Sequence, residues 1–122
     1  MNKNKKPFIG LHILGEIQTK VIKKLKSLSQ AKKRIHETIK KYGLHELGSF
    51  YYKFPRGGGF TGLISLVESH ISIHTWPELG YLTLDVYLCN YRKDNSDTCK
   101  KVFTEISKTF NPSRITKRLL RR

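Results

Sequence analysis

Apolar positions recur with a period of two along most of this chain and with a helical period in two stretches. In residues 10–18, Leu11, Ile13 and Ile17 fall on one side and His12, Leu14 and Glu16 on the other, the alternation of a half-buried strand. Gly15 within it marks a bulge or a close approach. From Ser27 or Ser29 to Tyr42, the positions Leu28, Ala31, Ile35, Ile39 and Tyr42 follow helical spacing, and Gly43 behind Lys40 and Lys41 reads as a C-terminal cap. Residues 20–26 either extend that helix or connect to it. Further strands are expected over Leu47–Phe54, Thr61–Val67, Ile71–Thr75 and Tyr81–Leu88, all short, rich in branched and aromatic residues and bounded by turn-like segments. Pro55 and Gly57-Gly58-Gly59 break the chain after the first of these. Asn90–Ser96 is polar and reads as a loop. Cys99, Val102, Phe103, Ile106 and Phe110 then form a second helical stripe ended by Asn111-Pro112, and residues 113–120 suggest a final edge strand protected by its basic end. The expected architecture is α+β, a two-layer α/β sandwich in which an antiparallel sheet carries two helices on one face.

Length and composition fit one domain spanning 1–122, since 122 residues with 38% hydrophobic positions supply a single modest core. Residues 7–14 behind Lys3, Lys5 and Lys6 mimic a short export signal, but His12 interrupts the apolar stretch and no small-residue cleavage site follows, so a first strand is the better reading. No run approaches the length needed to span a bilayer, and no membrane association is expected. Cys89 and Cys99 lack disulfide or zinc spacing, which points to the reducing cytoplasm.

Charge changes the picture locally. The net charge is +15, from 24 Lys and Arg against 9 Asp and Glu, which raises a nucleic-acid hypothesis. Residues 57–91, however, hold no Lys or Arg while carrying Glu68, Glu78 and Asp85. Because charges beyond a Debye length of roughly 8 Å are screened, this acidic island sets the field for a cationic ligand. Lys23-Lys24, Lys32-Lys33-Arg34 and Arg121-Arg122 match no recognised nucleic-acid motif, and such binding is not expected.

The same island holds the candidate chemistry, in the run Glu68-Ser69-His70-Ile71-Ser72-Ile73-His74-Thr75-Trp76-Pro77-Glu78 followed by Cys89. It combines a hydroxyl behind a glutamyl carbonyl, an imidazole five residues on and a thiol twenty on. His70 and His74 have HxxxH spacing, but the segment reads as strand, so the two do not share the helical face that zinc would need, and no metal is expected. Together with Gly10-Leu11-His12 and Glu16, Thr61-Gly62, and Gly80-Tyr81 with Asp85, this run resembles the small prokaryotic S-adenosylmethionine decarboxylases, enzymes that make a pyruvoyl cofactor from an internal serine. The likeness extends over about residues 8–120 and is most specific over 61–89.

The resemblance implies a proenzyme that cleaves itself between Glu68 and Ser69 into 1–68 and 69–122. Ser69 becomes the pyruvoyl group, which forms a Schiff base with the substrate amine and absorbs the electrons of decarboxylation. His74 is the processing base, a proton transfer to which a neutral imidazole is suited, and Thr61 stands where the family has a serine that helps orient the processing intermediate. Cys89 returns a proton to the substrate, and Glu78 and Glu68 contact it. Cys99, on the helical stripe, is core. The family's adenine-stacking phenylalanine lies one residue out of register with the glycine-rich segment here, so neither Phe54 nor Phe60 inherits that role. S-adenosylmethionine is the implied substrate, with arginine or ornithine the alternatives within the same chemistry, and the implied assembly is a homodimer of cleaved protomers.

Overall fold

A computed structural model describes residues 9–90 and 93–122. The basic residues Lys3, Lys5 and Lys6 and the start of the signal-like stretch lie outside the described residues, as do two positions of the 90–96 loop. The chain runs β1 (Gly10–Thr19), α1 (Ile22–Lys26), α2 (Leu28–Lys41), β2 (Glu46–Lys53), β3 (Phe60–Leu66), β4 (Ser69–Trp76), a 3₁₀ turn (Pro77–Leu79), β5 (Tyr81–Cys89), α3 (Ser96–Lys108) and β6 (Pro112–Arg121). The six strands form one sheet in the order β2-β3-β4-β5-β1-β6, antiparallel at every pairing. This is the expected sandwich, with α1 as a separate short helix in the stretch whose reading was open. The break comes at Ser27, whose hydroxyl accepts the Gln30 amide and starts α2 afresh.

One hydrophobic cluster fills the space between sheet and helices. Leu11, Ile13 and Ile17 of β1, Phe60, Ile64 and Leu66 of β3, Ile71 and Ile73 of β4, and Leu82, Leu84, Val86 and Leu88 of β5 meet the stripes of α2 and α3 there. Both sequence stripes are buried as read: Ala31, Ile35 and Ile39 on α2, and Cys99, Val102, Phe103 and Ile106 on α3. Cys99 is core, its thiol donating to the Leu11 and Val86 carbonyls, and burial pushes its pKa up to about 11.

Among the described residues, no helix covers the other face of the sheet. The alternate positions along its strands are half-buried or exposed: His12, Leu14, Glu16 and Gln18 on β1, His70, Ser72, His74 and Trp76 on β4, and Tyr81, Thr83, Asp85, Tyr87 and Cys89 on β5. Among the described residues no helix is long and apolar enough to cross a membrane.

Candidate active site

Strand β3 returns into β4 through a two-residue turn at Val67 and Glu68, so the Glu68–Ser69 bond sits where the hairpin re-enters the sheet. Four hydrogen bonds fix the residues before that bond. The Val67 amide donates to the His45 carbonyl (2.8 Å), and the His45 amide donates to Glu68 Oε1 (3.0 Å). His45 Nδ1 lies 2.7 Å from Glu68 Oε2, and the Cys89 amide donates to the Glu68 carbonyl oxygen at 2.7 Å. Glu68 is buried (9% exposed). Burial pushes its carboxyl pKa up, but the bonds from the His45 ring and backbone outweigh this and hold it below the ordinary carboxylate range.

Ser69 itself has φ = +140°, a backbone conformation that a residue with a Cβ adopts only under constraint. Its neighbours on both sides are held, Glu68 by the bonds just described and the following residues by full ladders to β3 and β5. The strain is therefore confined to the Glu68–Ser69 junction. Cys89, half-buried, ends β5 beside Leu88, the residue that pairs with Ser69. Next to Cys89 on the open face stand His12, His70 and Tyr87, with ring centroids 5.2 to 5.8 Å apart. Burial lowers the His12 pKa, and its Nε2 has no hydrogen-bond partner among the described residues.

His74 and Thr61 form a second cluster. They are paired across β3 and β4, with Thr61 Oγ1 2.5 Å from His74 Nδ1 and 3.3 Å from the Ile73 carbonyl. When the hydroxyl donates to that carbonyl, it accepts from Nδ1–H, leaving the Nε2 lone pair free to take a proton. A hydroxyl is thus present beside His74 at the position where the resemblance expects one, carried by threonine rather than serine. Aromatic rings border this cluster: His74 to Trp76 is 6.2 Å and Trp76 to Tyr81 is 5.6 Å between centroids, while Tyr52 and Phe54 stack edge-on at 4.9 Å. Phe54 is exposed, whereas Phe60 is fully buried in the core, so of the two only Phe54 is open to a ligand. Glu78 follows on the 3₁₀ turn and is exposed.

The six residues singled out in the sequence thus fall into two groups, Glu68, Ser69 and Cys89 at one end of β4 and Thr61, His74 and Glu78 toward the other. Ser69 and His74 are five residues apart on a regular strand, roughly 16 Å at about 3.3 Å per residue. Within one chain they do not meet. His45 was not singled out: it stands 23 residues before Glu68, and only tertiary structure brings the two together.

Residues 11–122 match the sequence profile of the family described as S-adenosylmethionine decarboxylase. The chain belongs to the S-adenosylmethionine decarboxylase family. It is 37% identical over 114 residues to the S-adenosylmethionine decarboxylase proenzyme of Sulfurihydrogenibium sp. (strain YO3AOP1), covering 93% of this chain and 82% of that protein. The proenzyme of Thermoplasma volcanium is 38% identical over 111 residues, covering 90% and 81%. The crystal structure of the adenosylmethionine decarboxylase from Aquifex aeolicus superposes with a TM-score of 0.83 at 33% identity, covering 96% of this chain and 92% of that one. Family membership makes the chain a pyruvoyl-dependent decarboxylase, its cofactor formed by self-cleavage at a serine.

Proposed function

We propose that this chain is a proenzyme that cuts itself between Glu68 and Ser69 and then decarboxylates S-adenosylmethionine, supplying the aminopropyl donor for polyamine synthesis. The observation that carries the cleavage site is the pairing of a strained Ser69 (φ = +140°) with a Glu68 carbonyl that accepts the Cys89 amide at 2.7 Å. A donor aimed at that oxygen stabilises the negative charge that develops when the carbonyl is attacked.

The cleavage proceeds in balanced steps. The Ser69 Oγ–Glu68 carbonyl carbon bond forms, the amide C–N bond breaks and the hydroxyl proton passes to nitrogen, leaving an ester and a free amine on Ser69. His74 Nε2 then removes the Ser69 α-proton. The Cβ–Oγ bond breaks, and Glu68 leaves as a carboxylate still facing the Cys89 amide. The enamine left on residue 69 becomes an imine, which water hydrolyses with loss of ammonia. The residues present fit this chemistry, since Ser69 supplies the carbon skeleton and Glu68 the leaving group. The resulting pyruvoyl carbonyl supplies an electron sink that no ordinary side chain offers. Cys89 Sγ holds the proton that the substrate α-carbon needs once carbon dioxide has left, and a thiol can release it near neutral pH. Glu78, exposed beside the aromatic rings around His74, is the substrate contact. Glu68 would have to release His45 before it served in the same way.

Because His74 stands roughly 16 Å along the strand from Ser69, the base must come from elsewhere. A homodimer packed through the open sheet faces supplies it, with Glu68, Ser69 and Cys89 from one protomer meeting Thr61, His74 and Glu78 from the other. Such a dimer also covers a face that carries Leu14, Leu63 and Trp76 without a helix over them. Intact mass spectrometry tests the proposal directly. The expected products are a 68-residue piece and a 54-residue piece with a blocked N-terminus (122 − 68 = 54). A persistent full-length chain with an ordinary Ser69 overturns it.

A further inference from the structure

The residue that holds Glu68 is His45, and nothing in the reading of the active site required it. Its position follows from how α2 ends. Gly43 takes φ = +65°, the Leu44 amide returns to the Ile39 carbonyl and the Gly43 amide to the Lys40 carbonyl, closing the helix in a Schellman turn. Leu44 drops into the core at the same point, so the chain leaves toward the β3–β4 hairpin with His45 in front. There His45 grips the two residues before the scissile bond through its carbonyl, its amide and its ring.

We propose that His45 is a positioning residue for self-cleavage, its ring clamping the Glu68 side chain so that the Glu68 carbonyl stays on the Cys89 amide while Ser69 remains strained. This rests on the self-cleavage reading above and adds a role that acts through Glu68. Four bonds on Val67 and Glu68 leave little freedom to relax, so the strain cannot be relieved by rotating the Glu68 peptide away. Removing the ring takes away one bond to a carboxylate and leaves both backbone bonds in place. The loss predicted is about tenfold in the rate of the first step, the effect of one charge-assisted hydrogen bond.

The clamp borders a cavity of about 580 Å³ lined in part by Tyr42, Gly43, Lys93 and Asn95, and the His45 side chain is 71% exposed. A small aromatic base can therefore reach the vacated place. The test uses the full chain carrying His74→Ala, in which the ester builds up and neutral hydroxylamine cuts it at residue 68. Adding His45→Ala should slow the appearance of hydroxylamine-cleavable chain about tenfold. Millimolar imidazole should restore the rate, and His45→Asn, which keeps a donor near the Nδ1 position, should retain most of it. Equal ester formation with and without His45→Ala overturns the proposal, as does a loss that neither imidazole nor His45→Asn reverses. A parent chain that forms neither ester nor fragments instead removes the self-cleavage reading itself, so the two failures are distinguishable.

Discussion

The roles proposed for Ser69, His74 and Cys89 belong to separable stages, and single substitutions should separate them. Ser69→Ala removes the attacking oxygen and should leave the 122-residue chain whole in an intact-mass measurement. His74→Ala should stop after the ester, since attack on Glu68 needs no α-proton removal. Cys89→Ala keeps the backbone amide that faces the Glu68 carbonyl, so cleavage should continue, but decarboxylase turnover should fall by about 10²-fold or more, the usual range for a lost general acid. Full turnover by the processed variant would assign the proton to another group, with Tyr87 the nearest candidate on the same strand face. Glu68 makes a further prediction about pH. Its folded pKa lies below the unfolded value, so its contribution to stability is fully present above the unfolded carboxyl pKa and is lost as pH falls through the folded one. Urea midpoints measured down the acid limb should fall less steeply in His45→Ala than in the parent, because the ring bond, the first of those that depress the pKa, is gone while the backbone bonds remain.

At the level of elements, α3 is seated on β1 by a size match. A Cβ on Gly15 would lie 2.4 Å from the Phe103 ring, and the Lys117 ammonium on β6 sits over that ring, 5.6 Å from its centroid. Gly15→Ala should therefore cost about 1–3 kcal/mol of stability, read as a lowered thermal midpoint, because a packed aromatic ring has to move. The close approach at Gly15 was legible in the sequence, as were both helical stripes and strands β1, β3, β4 and β5, where burial follows period directly. The short α1 was not, because Val21, Ile22 and Leu25 suit either a connector or a helix and only the Ser27 cap decides. Within the candidate site, residue types and spacing singled out Ser69, His74 and Cys89 as candidates. The link between His45 and Glu68 was hidden, because it depends on where the Gly43 turn sends the chain. The separation of Ser69 from His74 was implicit in reading the segment as strand, where five residues span roughly 16 Å, although nearness in sequence suggested nearness in space.

That separation governs the whole molecule. With the proposed nucleophile and base at opposite ends of one strand, self-processing requires a second copy to bring its own strand alongside, so the proposed homodimer should hold two composite sites, each drawing on both protomers. The consequence is complementation between two inactive chains. A protein with Ser69→Ala retains His74, and one with His74→Ala retains Ser69; neither alone should form a pyruvoyl group. When the two are co-expressed or refolded together at equal amounts, random pairing makes half of the dimers mixed. In a mixed dimer the Ser69 of one chain meets the His74 of the other, so about half of the His74→Ala chains should be cut at residue 68, while the Ser69→Ala chains stay intact. The yield should fall on dilution below the dimer dissociation constant, which light scattering can follow in parallel. Absence of any cleavage in a mixture shown to contain mixed dimers would mean that His74 serves its own chain or that another group is the base. An active, processed monomer would reject the shared site altogether.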